Sequence, residues 1–182
     1  GIAIERANTY TYKTSQYVLA TAQAYHPGSF GDQHHIWHAM LSPRACAFTT
    51  HPATLPGVAA PFGNSPGYWV GSGYLPHSAQ HRTVNLTIYR LPEKPGPLSG
   101  GVLPFTHAWL PEAEFDEVRR IRTGLVARLG SAYLALLAAG DLEYRPEPGK
   151  EAGDDGAAAP RSEVVQRGHE TGWVCIVSSA AD

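Results

Sequence analysis

The stretch LVARLGSAYLALLA at residues 125–138 decides the fold class of this chain. It consists of two apolar arms separated by Gly130-Ser131, and each arm is short for a helix in a globular protein. The second arm has helical propensity, but the turn before it and its short length favour a strand. A two-residue link containing glycine suits the primed turn of a β-hairpin. We therefore predict antiparallel strands over 125–129 and 133–138.

Short strands separated by turn residues extend from this hairpin in both directions. Residues 84–89 (VNLTIY) alternate with a period of two, and Pro43 marks a turn between two further runs. The other predicted strands cover 9–12, 17–22, 35–41, 45–50, 164–167 and 173–178. About ten short antiparallel strands predict an all-β fold, a β-sandwich of two sheets with long loops.

One segment predicts a short helix, and three predict loops. Residues 111–118 (PEAEFDEV) place Pro in the first turn with acidic residues behind it, so we expect two helical turns. The Pro- and Gly-rich stretches 51–67 and 92–101 predict surface loops. Residues 146–160 are acidic, rich in Ala and Gly and without periodicity, and we expect a mobile loop there.

Length and composition indicate one globular domain over residues 1–182. The chain is 43% hydrophobic and 16% charged, and its net charge of −2 offers no basic stripe for nucleic acid. It has no run of roughly 18 apolar residues, so no membrane span is expected. Because the chain starts at Gly1 and Met40 is its only methionine, we interpret it as a piece of a larger protein or a processed product. The compartment stays open between cytoplasm and secretion.

The two cysteines are expected to be free. Cys46 and Cys175 each lie in an apolar run, which is typical of buried thiols. One disulfide between the sheets is the alternative. Neither cysteine has a basic or Gly-rich neighbour that would activate it as a nucleophile.

Histidines are the strongest functional signal, with nine in 182 residues. Four of them lie beside aromatic or small polar residues in strand-like runs, and such histidines can serve as general acids or bases: His35, His51, His81 and His107. Tyrosines could partner them in proton abstraction beside a carboxylate, namely Tyr12, Tyr25, Tyr68, Tyr74 and Tyr89. Polar side chains available to neutralise that carboxylate are Asn64, Gln80, Arg82 and Asn85.

Tryptophans and metal binding add two further hypotheses. Trp69 and Trp109 are candidate platforms for stacking a sugar, whereas Trp173 lies between apolar neighbours and is expected in the core. Zinc or another divalent metal stays an alternative, which would need a histidine from each of several strands. A pair of catalytic carboxylates of the glycosidase type is disfavoured, because only Asp32 borders a histidine block.

The order of several blocks resembles the β-rich C-terminal part of large bacterial proteins. The blocks are YKTSQYVL (12–19), QHHIWHA (33–39), FTTHP (48–52), GYLPHSAQH (73–81), FTHAWLP (105–111) and FDEV (115–118). Those proteins are similar in layout to heparinase II/III-like polysaccharide lyases, in which an (α/α) toroid precedes antiparallel β-sheets. The resemblance implies β-elimination of a uronic-acid polysaccharide, a Tyr or His base, and a cleft between toroid and sheet. In it, the four histidines above fall at matching positions.

We therefore predict a carbohydrate-active module, the β-sandwich part of a polysaccharide lyase-like enzyme acting on uronic-acid glycans. Its expected partners are a polysaccharide or oligosaccharide and an (α/α)-toroid domain of the same parent protein. A non-catalytic glycan-binding or structural β-sandwich is the alternative, and a small metal-dependent β enzyme is a third. The predicted catalytic residues are His35, His81, His107 and Tyr74, with the first three expected to line one pocket. The predicted substrate-binding residues are Trp69, Trp109, Asn64, Gln80, Arg82 and His51.

Overall fold

A computed structural model describes residues 8–23, 35–59, 66–94, 102–146 and 161–180. Within these ranges the regular secondary structure is β-strand, apart from one 3₁₀ turn at Glu112–Glu114. The strands are β1 (Asn8–Lys13), β2 (Val18–Gln23), β3 (Trp37–Met40), β4 (Cys46–Thr50), β5 (His77–His81), β6 (Val84–Arg90), β7 (Phe105–Trp109), β8 (Glu117–Ile121), β9 (Gly124–Leu129), β10 (Ala132–Ala138), β11 (Leu142–Pro146), β12 (Arg161–Arg167) and β13 (Glu170–Ser179).

The strands form two antiparallel sheets that pack as a sandwich, which confirms the predicted fold class. One sheet has seven strands in the order β1-β2-β3-β4-β7-β12-β11, and the other has six in the order β5-β6-β13-β10-β9-β8. The core lies between the sheets. The seven-stranded sheet contributes Leu19, Trp37 and Val164 to it, and the six-stranded sheet contributes Leu134 and Trp173. Each inward residue is followed by an outward one, as the strand period requires.

The hairpin that anchored the sequence interpretation is confirmed. Leu129 pairs with Ala132, so the link is Gly130-Ser131, and Gly130 has a φ of 60°. A positive φ at the first link position is the geometry that glycine supplies in type II′ turns. Trp173 is fully buried, as predicted. Both cysteines are free thiols, with Cys175 buried and Cys46 half-buried.

The structure differs from the sequence-based prediction at one predicted helix and at several strands that were not predicted. The two-turn helix is a single 3₁₀ turn, because Phe115 is buried and the chain enters β8 at Glu117. Strands β5, β7, β8 and β11 were not among the predicted strands. Of the predicted mobile loop 146–160, only Pro146 lies within the described residues, and it ends β11.

The inner face of β6 is polar, which reverses the usual arrangement of a sandwich strand. Asn85 and Thr87 are fully buried, whereas Val84, Leu86 and Ile88 on the same strand are exposed. Buried polar groups are tolerated when they are hydrogen-bonded. Asn85 donates to the Thr87 hydroxyl at 2.8 Å and accepts from the Ser78 hydroxyl of β5 at 2.7 Å. The polar side chains therefore satisfy one another inside the sandwich.

Gln80 extends this interior network across the sandwich. Its side-chain oxygen accepts a hydrogen bond from Thr21 at 2.5 Å, and its nitrogen donates to the Leu19 carbonyl at 2.9 Å. These contacts tie β5 of one sheet to β2 of the other. Gln80 thus has a structural role between the sheets.

No helix in the described parts of the chain is long and apolar enough to cross a membrane.

Candidate functional site

The outer face of the seven-stranded sheet carries a cluster of aromatic and histidine side chains. On β7, Thr106 and Ala108 face the core, so His107 points to the opposite side of the sheet. Phe48 of β4 and Glu163 of β12 lie on that same side. The aromatic–histidine cluster comprises His35, Phe48, Tyr68, Trp69, His107, Trp109 and Glu163.

A tight turn lays Tyr68 and Trp69 over this face. Gly67 and Gly71 bridge each other through two backbone hydrogen bonds of 3.2 Å, which closes the turn. Gly71 has a φ of 101°, and a Cβ atom there would lie 2.6 Å from Oγ1 of Thr50. Only glycine therefore allows both the backbone conformation and the close approach of the turn to β4.

Trp69 is the centre of the aromatic contacts. Its indole stacks on the His107 ring with centroids 4.2 Å apart and an interplanar angle of 2°. Tyr68 and Trp109 meet it edge-on, with centroid distances of 5.4 Å and 5.2 Å. Trp69 and Trp109 are both half-buried residues.

His35 joins the cluster from the segment before β3. Its Nε2 donates to the Trp69 carbonyl oxygen at 2.8 Å, and its ring stacks on Phe48 at 3.8 Å. In contrast to His107, His35 is exposed. It thus combines a fixed ring orientation with access to a molecule at the surface.

Beneath Trp69 lies a buried hydrogen-bond network. Nδ1 of His107 lies 2.8 Å from Oε1 of Glu163, and Nε2 lies 3.1 Å from the Tyr68 carbonyl oxygen. The Tyr68 hydroxyl donates to the same Glu163 oxygen. Because a carbonyl can only accept, Nε2 carries a proton. A second proton must lie between Nδ1 and Oε1, since two acceptors do not hydrogen-bond to each other.

Burial and hydrogen bonding shift the titration of this network. Burial lowers the pKa of His107, but the hydrogen bond between Nδ1 and the Glu163 carboxylate opposes this shift and keeps the second proton within the pair. Burial also raises the pKa of Glu163, but hydrogen bonds from His107 and Tyr68 outweigh this and hold it below its usual range. Burial and the neighbouring Glu163 raise the pKa of Tyr68 far above its ordinary value, so its hydroxyl stays protonated near neutrality.

His51 directly follows β4 and is a buried, fully hydrogen-bonded side chain. Its Nε2 donates to the Leu103 carbonyl at 2.8 Å, and its Nδ1 accepts from the Ser72 hydroxyl at 2.6 Å. This pattern is that of the neutral imidazole with its proton on Nε2. Burial lowers the pKa of His51 from 6.5 to about 4. The side chain links β4 to the loop that carries Trp69.

The structure brings some of the sequence-predicted residues together and separates others. His35, His107, Trp69 and Trp109 share the cluster. His51 lies at its border and contacts Tyr74, with ring centroids 5.7 Å apart.

His81 is in a different place. It is exposed on the outer side of β5 in the other sheet, so it is not brought into a pocket with His35 and His107. Arg82 lies at the hairpin tip, with its guanidinium 5.6 Å from the centre of the Tyr12 ring. Gln80 is in the interior network described above. Asn64 lies outside the described residues.

Sequence reasoning did not identify Glu163 as a site residue. It lies in the strand RSEVVQR, where nothing in the neighbouring sequence distinguishes it from a surface glutamate. Its importance comes from pairing: β12 and β7 are adjacent, and Glu163 lies opposite Trp109. Its burial, which the sequence does not indicate, is what requires a hydrogen-bonding partner.

A metal site is not apparent in the part of the chain that the structure describes. No group of three or more His, Cys, Asp and Glu side chains is placed there to hold an ion. The zinc alternative stays a prediction.

Comparison of the chain with protein-family models, with curated proteins and with solved structures gives no match. The resemblance to heparinase II/III-like proteins therefore stays a prediction. Any functional assignment therefore depends on the geometry of the aromatic–histidine cluster.

Proposed function

We propose that this chain is a carbohydrate-active module of a larger polysaccharide lyase-like protein, and that the aromatic–histidine cluster binds the glycan. The proposal rests on the position of the Trp69 side chain. Its half-buried indole is held flat against His107 and is bordered by Trp109. A rigid aromatic ring with accessible surface, surrounded by polar groups, suits the apolar face and the hydroxyl edge of a sugar ring.

The cluster is better suited to binding than to proton abstraction by its buried members. A general base must reach the proton that it removes. His107 is fully buried and both of its ring nitrogens are engaged. The raised pKa of Tyr68 keeps its hydroxyl protonated. Among the predicted catalytic residues, His35 is the one that is both in the cluster and exposed, so proton transfer is assigned to His35 in this proposal.

Charge near the cluster supports an acidic sugar as the ligand. Arg145 of β11 is half-buried and close enough to Tyr68 and Glu163 to affect the pKa of both. It also pairs with Glu143. A sugar carboxylate would exchange with Glu143 at this guanidinium to form the two parallel hydrogen bonds of an arginine–carboxylate pair. A uronic-acid unit has both the ring face and the carboxylate that this arrangement fits.

The test is binding of uronic-acid oligosaccharides, measured by titration calorimetry, with neutral oligosaccharides of equal length for comparison. Trp69→Ala is expected to weaken binding at least tenfold, which is about 1.4 kcal/mol. Tyr133→Ala removes an exposed aromatic from the other sheet and serves as the matched control, with no change expected. Equal affinity of the wild type and the Trp69 variant would contradict the proposal.

Catalysis is tested separately, by the absorbance of unsaturated uronate products. His35→Ala should abolish product formation by the parent protein while leaving oligosaccharide affinity within about threefold, or 0.7 kcal/mol. Full activity of the variant would remove His35 from the proposed reaction.

A further inference from the structure

A second group of aromatic side chains lies at the edge of the sandwich, on β1. Tyr10 and Tyr12 pair with Thr21 and Leu19 of β2, which face the core, so both tyrosines point to the interior side of their sheet. The edge strand of the opposite sheet, β5, lies over β2, where Gln80 bonds to the Leu19 carbonyl. Because β1 extends past that edge, Tyr10 is 37% exposed.

Arg82 reaches these tyrosines from the tip of the β5–β6 hairpin. Its guanidinium carbon lies 5.6 Å from the centre of the Tyr12 ring, and Nη2 donates to the Tyr12 hydroxyl at 3.4 Å. Its backbone N–H donates to the Tyr10 hydroxyl at 3.3 Å. We call Tyr10, Tyr12 and Arg82 the tyrosine–arginine ledge. The ledge is separate from the aromatic–histidine cluster, which lies on the outer face of the seven-stranded sheet.

The backbone of Arg82 is held in a conformation that arginine disfavours. Its φ is 50°, at the first position of the two-residue link between His81 and Val84. Glycine adopts this left-handed region without the steric penalty that a Cβ atom incurs. Contacts on both sides hold the strained residue, since its carbonyl also accepts from Nε2 of Gln80 at 2.9 Å. Strained residues of this kind cluster at active sites and ligand sites.

The guanidinium of Arg82 is available to an anion. In the part of the chain that the structure describes, Arg82 pairs with no carboxylate, whereas Arg120 and Arg128 each do. Of its side-chain N–H donors, the described residues engage the one that bonds to Tyr12. A guanidinium has five such donors, and this residue is exposed. The ledge therefore combines a free cationic fork with the exposed ring of Tyr10.

We propose that the tyrosine–arginine ledge is a second binding site for an acidic sugar unit, with Arg82 on its carboxylate and Tyr10 against its ring. The class of ligand rests on the proposed function, because a uronic-acid polymer presents many equivalent units. Hydrogen bonds between a guanidinium and a carboxylate are charge-assisted and form in pairs, so an acidic sugar is favoured over a neutral one. Two sites on one module raise its avidity for a polymer that reaches both.

The experiment is an NMR titration of the isotope-labelled 182-residue chain with a uronic-acid tetrasaccharide, and with a neutral tetrasaccharide in parallel. The side-chain Nε–H signal of Arg82 reports on the ledge, and the indole N–H signal of Trp69 reports on the aromatic–histidine cluster. Both signals are expected to shift saturably with the acidic sugar. The affinity at Arg82 should be weaker for the neutral sugar by at least about tenfold.

Arg82→Gly removes the guanidinium and relieves the backbone strain, so the midpoint of urea unfolding should not fall. In this variant, followed at the Tyr12 backbone amide, the affinity of the ledge for the acidic sugar should drop by at least about tenfold. The response of Trp69 should stay unchanged. Arg44→Gly removes an exposed arginine from the β3–β4 turn and is the matched control, with both responses retained.

The wild-type titration decides the proposal whether or not the variants fold. An Arg82 signal that does not shift, or that shifts equally with the neutral sugar, overturns the ledge as an acidic-sugar site. An unchanged affinity of the ledge in Arg82→Gly overturns it too, because Arg82 would then only fasten the hairpin tip to β1. A shift at Arg82 without one at Trp69 contradicts the proposed role of the cluster and supports the ledge, and the reverse result overturns the ledge alone.

Discussion

Acidification from pH 7 to pH 5 is expected to destabilise the fold through His51. The native side chain is a neutral imidazole that accepts from Ser72 and donates to Leu103. Burial lowers its pKa to about 4, whereas in the unfolded chain it titrates near its ordinary value of 6.5. A group whose pKa is depressed in the folded state binds more protons when unfolded, so stability is lost as the pH falls below 6.5.

The magnitude follows from the two pKa values. At pH 7 both states are mostly unprotonated, and the contribution of His51 is below about 0.2 kcal/mol. At pH 5 the unfolded state holds a proton at this site and the folded state does not, which costs about 2 kcal/mol. Below pH 4 both states are protonated, and the loss levels off near 3 kcal/mol.

The assay is urea unfolding followed by tryptophan fluorescence, for the wild type and for His51→Gln. Glutamine can accept from Ser72 and donate to Leu103 without titrating, so it serves as the non-ionising control. The difference in the free energy of unfolding between the two proteins should shift by about 2 kcal/mol between pH 7 and pH 5. Other histidines titrate in both proteins and cancel in this difference. The same pH dependence in both would refute the reasoning.

Two further predictions concern the support of the cluster. Gly71→Ala is expected to lower the free energy of unfolding by at least about 1 kcal/mol more than Gly57→Ala, measured by urea unfolding. Both positions have positive φ, but only a Cβ at Gly71 would meet a neighbour, Thr50. Equal losses of stability would show that the close approach to Thr50 does not matter. Glu163→Ala is expected to lower the free energy of unfolding by about 1–3 kcal/mol at pH 7, because it leaves Nδ1 of the buried His107 without its partner. Thermal unfolding would measure it, with Glu163→Gln, which retains an acceptor, losing less; a loss under 1 kcal/mol for the alanine variant would contradict the assignment.

The sequence was sufficient for the fold class because local signals agree in most strands. The apolar arms around Gly130-Ser131 and the alternation at 84–89 are both strong signals, and both segments are strands. The unpredicted strands lack such signals. His77–His81 contains one apolar residue, and Leu142–Pro146 ends at a proline beside a loop. Glu117–Ile121 follows acidic residues that favour a helical interpretation.

The candidate site was only partly predictable, because it is assembled from distant segments. His35 and His107 were identified as residues of interest by their aromatic neighbours, but only strand order brings them to one face. Glu163 reaches His107 because β12 pairs with β7, across 56 residues of sequence. His81 has the same local sequence character as the others, yet its strand belongs to the other sheet. Local composition identifies candidate side chains, and topology decides which of them meet.

The reversed polarity of β6 also bears on how the chain folds. A slip of this strand by one residue between β5 and β13 would turn Val84, Leu86 and Ile88 inward and Asn85 and Thr87 outward. Burial of the aliphatic side chains favours that slipped register, whereas the polar pairing inside the sandwich and the burial of Tyr89 select the native one. Refolding is therefore expected to populate a trapped species with β6 one residue out of place, which must detach and pair again before the sandwich closes.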